Sequence, residues 1–566
     1  MADTPVGPPP GAADADPPPP ASGSSLTRAT AVMSAGTAAS RLTGFLRIAV
    51  IAWAIGGTES KLPDTYNLAN SLPNIVYQLV LGEILATVFV PIFVEHITTK
   101  AREEATRLAS TIFTMAVVVS GAFAAITVLG APWLMKIYTF GIDDPVLRAQ
   151  QEATGTFFLR LFMPQMIFYA ATAVLTGLLN AHRRFAIPMF APVFNNLIVA
   201  GTFALFRFRH GDGIPQLASL SDADVWLLGG GTTLGVIAMT IAHWPSVVRL
   251  RRGYRLGRID WTHPAVRRVG GLAKYSFGYV IVNQAGLWVI FALANGAATA
   301  GGVTAYQNSW ILYQLPYGLF AVSIMTYLVP RVAEQHVGGD RAAVRDSVSL
   351  GLRATAFIVL PAAAGFVALG RPIIRLLLEH GVFGAASTDL FADTFVLMVL
   401  GLGAYAAFQQ LMRAFYAMQD TRTPLLVNVA AVGAEVGSAV PLFLVLDIPG
   451  LGLAHTVSYL TGATVGGLIL RARLGGLDGG RLLRSHLRIG AAAALTGLVV
   501  RIAADGIGRA VDVATLGGQA IQVGGGVAVG LVTYALLSLA FRVEEAAPVL
   551  RLIRSRLGRT RGPAKT

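Results

Sequence analysis

Stretches of roughly 20 predominantly apolar residues recur along almost the whole chain, and they leave few folds open. About 20 such residues make a helix long enough to cross a bilayer. In lipid a backbone must satisfy its own N–H and C=O groups, so a chain built this way folds as packed membrane helices. Only 13% of the 566 residues are charged and 54% are hydrophobic. Soluble domains carry about 25% charged residues. The expectation is an all-α polytopic membrane protein of about fourteen spans. They are read at 29–56, 64–96, 108–136, 155–181, 186–207, 224–249, 268–299, 303–335, 346–370, 385–417, 424–446, 449–472, 485–505 and 519–541.

The ends differ in character. Eight of the first twenty residues are proline, so residues 1–27 are expected to form a disordered tail. Residues 546–566 carry Arg551, Arg554, Arg556, Arg559, Arg561 and Lys565, a basic tail suited to anionic lipid. No secretory signal pattern is visible at the N-terminus.

The net charge of +14 is concentrated in short loops. Lys100, Arg102 and Arg107 fall in one loop, Arg183 and Arg184 in the next but one, and Arg249 to Arg258 in the next but one again. The intervening loops hold acids such as Asp143, Asp144, Asp222 and Asp447. Alternation of this kind marks cytoplasmic loops and places both termini in the cytoplasm of a multi-pass cytoplasmic-membrane protein. It also explains the basic excess without a nucleic-acid partner. Cysteine is absent, which excludes disulfides and thiolate metal sites. No Gly-rich phosphate loop and no His-Glu-x-x-His pattern occurs, so neither direct ATP use nor catalysis is expected.

An internal repeat runs through the chain. Gly130 and Gly141 match Gly370 and Gly381 at an offset of 240. Pro188 matches Pro424 at 236, Pro73 matches Pro316 at 243, and Pro91 matches Pro330 at 239. Spans 1–6 therefore correspond to spans 7–12 in the same order and orientation, as parallel repeats. The expected organisation is a first lobe over 28–260, a second over 261–475, and two extra helices over 476–545. Two such lobes about a central cavity suit alternating access.

Charges inside spans cost about 2.5–3.5 kcal/mol each at the bilayer centre and point to partners, water or substrate. Arg41 and Arg47 lie in span 1, Glu83 in span 2, Lys274 in span 7 and Glu435 in span 11, with Asp64 at the mouth of span 2. Arg160 and Arg353 lie near predicted span ends and read as paired or snorkelling side chains. The six-residue separation of Arg41 and Arg47 turns them roughly 120° apart on a helix, so both can border one wide cavity. Their surplus of positive charge suits an anionic substrate, and the guanidinium fork suits phosphate or pyrophosphate. Pro73 and Pro316 are potential bending points in spans 2 and 8. Gly229-Gly230-Gly231 in span 6 reads as close helix packing.

Several segments resemble the MurJ/MviN family of lipid II flippases, within the superfamily of multidrug, oligosaccharidyl-lipid and polysaccharide exporters. Ser40-Arg41-Leu42-Thr43-Gly44-Phe45-Leu46-Arg47 resembles its span 1 motif. Asp64, Leu72-Pro73-Asn74 and Phe89-Val90-Pro91 with Glu95 resemble its span 2. Gly177 to Asn196 is similar to its span 4–5 turn, and Arg413 to Pro424 to its span 10–11 turn. The resemblance covers about residues 28–475.

The resemblance implies a V-shaped protein, with a groove for the lipid tail at spans 13 and 14. It implies movement of a polyprenyl-diphosphate-linked disaccharide-peptide from the inner to the outer leaflet, for peptidoglycan and cell shape, with Arg41 and Arg47 as carried-over cations. Asp64, Asn74, Glu83, Asn283 and Gln284 are further polar candidates for the cavity. Three of the family's cavity cations are absent, their places taken by Tyr77, Gln78 and Ile311; Lys274 stands as a replacement. No cofactor is expected. Membrane potential is the default energy source, with sodium or proton coupling open; Asn428, Glu435 and Thr456 are candidate ion ligands. Membrane lipids and cell-wall synthesis proteins are the expected partners. The resemblance is to a stand-alone flippase, without the cytoplasmic pseudokinase-like domain of some actinobacterial relatives. Three other readings stay open: a flippase for another polyprenyl-linked glycan, an ion-coupled exporter of small cations, and a non-transporting scaffold for cell-wall synthesis.

Overall fold

The computed structural model describes residues 23–77, 102–182, 184–211, 213–250 and 264–546. Among these, secondary structure is helical throughout. The first half holds α1 (Gly23–Ile55), α2 (Leu62–Tyr77), α3 (Arg102–Thr139), α4 (Pro145–Phe162), α5 (Gln165–Ala181), α6 (Ala186–His210) and α7 (Asp222–Ile241). The second holds α8 (Pro264–Gly296), α9 (Gly302–Tyr313), α10 (Val322–Val337), α11 (Arg341–Leu378), α12 (Ala385–Val399), α13 (Leu402–Ala417), α14 (Arg422–Leu446) and α15 (Ile448–Leu474). Two more follow, α16 (Gly479–Ala510) and α17 (Leu516–Ala540).

Helix starts follow from local chemistry. Asp144 caps α4 by accepting from the N–H groups of Val146 and Leu147, with Pro145 at the first helical position. Ser221 and Asp224 close a reciprocal capping box on α7. Thr515 caps α17 through the N–H of Gly518. A Cβ on Gly229 would lie 2.5 Å from Leu161 and one on Gly231 2.3 Å from Thr202, so two of the three span 6 glycines set close helix packing.

Among the described residues eleven helices are long and apolar enough to span a bilayer, or thirteen when each bent pair counts as one span. This is a multi-pass membrane protein. Of the fourteen expected spans, the second runs past Tyr77 into residues outside the described ones. Spans 8 and 10 are broken. Span 8 divides into α9 and α10, bent by 60° through a π turn at Tyr317–Ala321 just after Pro316. Span 10 divides into α12 and α13, bent by 49° at Leu400-Gly401. Span 4, the counterpart of span 10, carries a break between α4 and α5 at Met163-Pro164.

Packing repeats as the sequence does. The pairs α1–α6, α6–α7 and α2–α4 of the first half recur as α8–α14, α14–α15 and α9–α12 in the second. The extra helices α16 and α17 pack on each other and on α11.

Candidate functional site

The two halves meet where α1 and α8 end and where α2 and α9 begin. Gly56, with φ +79°, ends α1; a Cβ there would meet Val382 at 2.8 Å. Its counterpart Gly296 ends α8 against Gly141, where a Cβ would meet the Gly141 carbonyl oxygen at 3.2 Å. The positive φ at Gly56 and the close backbone approach at Gly296 both favour glycine.

Polar contacts seal this end. Glu59 Oε1 accepts from the N–H of Gly384 and the hydroxyl of Ser387, each at 2.8 Å. Lys61 Nζ donates to the carbonyl of Asn295 at 3.0 Å. Asn295 in turn donates to the Tyr138 carbonyl and pairs with Gln151. Asp64 is fully buried. It accepts from the N–H of Gly301 at 2.8 Å and from the N–H and hydroxyl of Thr304 at 3.0 and 2.9 Å. Asp64 was expected to line the cavity; instead its carboxylate, 3.8 Å from Lys61, is consumed capping the start of α9.

Beyond this seal lies a cleft of two chambers. The first, about 720 Å³ including its open mouth, is lined by Arg47, Tyr66, Asn67, Asn70, Tyr169 and Asn195, among others. The second, about 1260 Å³, is lined by Asn74, Asn283, Gln284, Tyr306, Glu435 and His455, among others. Gln307 and Ile311 of α9 line both, so α9 is the partition.

Arg41 and Arg47 are half-buried, and the Nε of each is enclosed without a hydrogen-bond partner. They diverge as their spacing predicts. Arg47 faces the first chamber, whereas the guanidinium of Arg41 lies beside Gly318 in the π turn, 3.1 Å from where a Cβ would stand. Among the described residues neither makes an ion pair. Arg353 does: Nη1 lies 2.7 Å from Glu545 and 3.5 Å from Glu544. Arg160 is exposed.

Asn74, Asn283, Gln284 and Glu435 come together in the second chamber. Glu83 lies outside the described residues, as does the side chain of Lys274 on α8. The family cation replaced by Ile311 leaves an apolar side chain 37% exposed between the chambers. Tyr77 is the last residue of α2, and Gln78 lies outside the described residues.

The three candidate ion ligands do not converge. Asn428 donates to the Tyr279 carbonyl at 3.3 Å. The Thr456 hydroxyl donates to the carbonyls of Leu397 and Met398 at the break in span 10. Glu435 instead holds Tyr306 and His455, at 3.2 and 3.0 Å. Among the described residues no group of three His, Asp or Glu side chains could hold a metal ion.

His455 was not singled out from the sequence, although it is the sole histidine, acid or basic residue between Ile448 and Leu470. Asn67, Asn70 and Gln307 were also missed, being single amides in mixed helices.

Two packed helical halves of like topology, sealed at one end around a polar, cationic cleft, define a two-lobed membrane transporter fold. The solved inward-facing structure of a multidrug-resistance MATE transporter of the MOP superfamily has this fold, with TM-score 0.61, 13% identity, and coverage of 77% of this chain and 96% of that one. A solved structure of the lipid II flippase MurJ in an inward closed conformation matches with TM-score 0.70 and 19% identity, over 90% of this chain and 99% of that one. The "Probable lipid II flippase MurJ" of Rhizobium meliloti (strain 1021) is 28% identical over 77% of this chain and 78% of its own length. The protein of the same description from Thermotoga maritima is 23% identical over 92% and 98%. The family model "Lipid II flippase MurJ" matches residues 52–507. The chain belongs to the MurJ lipid II flippase family.

Proposed function

We propose that this chain flips the lipid-linked peptidoglycan precursor lipid II from the inner to the outer leaflet of the cytoplasmic membrane by alternating access. It does so as a transporter rather than a catalyst. One observation carries this reading beyond family membership: two guanidinium groups of α1, Arg47 facing the first chamber and Arg41 beside the π turn, have no counter-ion among the described residues. Uncompensated cations in a spanning helix are costly, and a pyrophosphate supplies the missing charge and the acceptor geometry that Arg prefers. The basic alternate loops put the N-terminal end of α1 in the cytoplasm, so the sealed end faces outward and the cleft awaits substrate from the inner leaflet. Asn74, Asn283 and Gln284 supply neutral hydrogen-bonding groups for sugar and peptide. Membrane potential, worth about 2.3 kcal/mol per unit charge per 100 mV, is available as a driving force.

The test is rescue of a strain depleted of its own lipid II flippase. The expected result is rescue by wild type and failure of Arg41→Ala and Arg47→Ala at matched membrane levels. Rescue by all three removes the arginines from the mechanism. Failure of wild type favours another polyprenyl-linked glycan, consistent with the apolar Ile311 exposed between the chambers.

A further inference from the structure

Three polar side chains from three helices meet beside the second chamber. Glu435 of α14 accepts from the Tyr306 hydroxyl of α9 at 3.2 Å and lies 3.0 Å from His455 Nδ1 of α15. The Tyr306 hydroxyl is also 3.1 Å from the same Nδ1. The other imidazole nitrogen, Nε2, is enclosed and has no partner. Around it stand aromatic rings at steep angles: Trp310 at 4.7 Å and 87°, Tyr459 at 4.8 Å and 80°, Tyr313 at 5.5 Å and 76°.

We infer that Glu435, His455 and Tyr306 form a proton-binding site whose loading is coupled to the movement of α9. The inference rests on the transport reading above and names its coupling ion. Sodium fits poorly here. It needs several converging oxygens, and Asn428 and Thr456 are engaged elsewhere while a ring nitrogen occupies the carboxylate. A proton fits well. With Nδ1–H donating to Glu435, Nε2 is a bare base. Adding one proton there converts a lone buried carboxylate into an imidazolium–carboxylate pair, and the surrounding rings favour the cation. Releasing it restores the starting state, so one proton is carried per cycle and no bond other than N–H is made or broken.

The titratable groups about the pair are phenols: Tyr306 and Tyr313 on α9, Tyr405 on α13, Tyr459 on α15 and Tyr279 on α8. No Lys or Arg side chain among the described residues lines this chamber to discharge Glu435. Lys274 lies on α8, with its side chain outside the described residues. The link to motion is Tyr306 itself. It sits two residues beyond Thr304 on the same helix, and Asp64 of the other lobe holds Thr304. Protonation therefore changes the bonding of the one helix that partitions the cleft and closes its far end.

Trp310 is a built-in reporter, because an imidazolium with its centroid 4.7 Å from the indole ring quenches indole emission. The full-length protein in detergent is titrated from pH 8 to 5 with no substrate present, and the Trp310→Phe signal is subtracted. The expected result is a one-proton loss of Trp310 emission that sodium chloride does not shift. It should vanish in His455→Gln and move to lower pH in Glu435→Gln, with each variant checked for monodispersity and helical content. In proteoliposomes, an imposed pH gradient should alter wild-type flipping of a fluorescent polyprenyl-diphosphate glycan, and His455→Gln should lose that response. A flat titration, an unchanged curve in His455→Gln, or a sodium-dependent shift overturns the site. A normal titration with gradient-insensitive flipping overturns the coupling. A normal titration with no flipping of any glycan defeats the transport reading instead, and with it the coupling.

Discussion

The Asp64 carboxylate accepts both the N–H and the hydroxyl of Thr304, and the two residues stand 240 positions apart. That is the offset of Gly130 from Gly370 and of Gly141 from Gly381. A residue opening the first lobe's second span is thus bonded to its own counterpart in the second lobe. The lobes touch along the line that relates them, where a small rotation opens one side as it closes the other.

Asp64→Ala removes all three bonds to the start of α9 and leaves the N–H groups of Gly301 and Thr304 unpaired. Hydrogen bonds to a charged group contribute about 1.5–3 kcal/mol each, so the sealed state should lose most of its advantage. Cysteine introduced at Asn67 should react faster with an externally added impermeant maleimide in Asp64→Ala than in the parent. Equal rates would show that the seal rests on Glu59 and Lys61 alone.

Gln307 Nε2 donates to the Asn67 carbonyl at 3.4 Å and to Ser71 Oγ at 3.1 Å, again across the lobes. The chain has no cysteine, so Asn67→Cys with Gln307→Cys gives a single cross-linkable pair. Joining them by a short reducible cross-linker should stop flipping, and reduction should restore it. Full activity while cross-linked would rule out separation of α2 and α9 during transport.

Arg353 and Glu545 are each only 7% exposed at the side chain and lie 2.7 Å apart. Removing one partner of a buried pair typically costs about 3–5 kcal/mol, because a charge is left uncompensated. Glu545→Gln and Arg353→Ala should each lower the detergent melting temperature, whereas Arg353→Met with Glu545→Leu should lose much less. An additive double variant would mean that the pair contributes nothing as a pair.

Asp420, in the turn between α13 and α14, is held below its ordinary range. Burial pushes it up, but the Thr423 hydroxyl and N–H and the Arg473 guanidinium outweigh that. A lowered folded value means stability that is complete above about pH 4 and lost as pH falls through the folded value. Asp420→Asn should therefore melt below wild type at neutral pH, and the gap should close on acidification. A gap independent of pH would assign the loss to geometry instead of charge.

Much of the fold was legible because lipid enforces it. Apolar length gave the spans, and the 240-residue offset correctly paired α1–α6 with α8–α14. The breaks were harder. Pro316 gave a signal for span 8, but the bend of span 10 falls at Leu400-Gly401, where glycine in an apolar run is common. Arg41 and Arg47 were readable because a charge in lipid is costly anywhere. Asp64 was misplaced because an acid at a helix mouth can face a cavity or cap a neighbour, and only tertiary contact decides. Glu435 and His455 meet across the antiparallel hairpin α14–α15, one before and one after its tight turn at Asp447. Both positions were present in the sequence, but their meeting depends on the turn being tight and on how the two helices pack.

The π turn at Tyr317–Ala321 holds one residue more than an α turn would. One residue is about 100° of helical phase, so α10 presents its side chains rotated by that amount from the faces an unbroken helix would show. The extra residue works as a dislocation in the rod beside the Arg41 guanidinium. Were it to glide along by a turn, each residue it passed would swing to a new bearing while one loop of hydrogen bonds was exchanged for another, and the rest of the rod stayed intact.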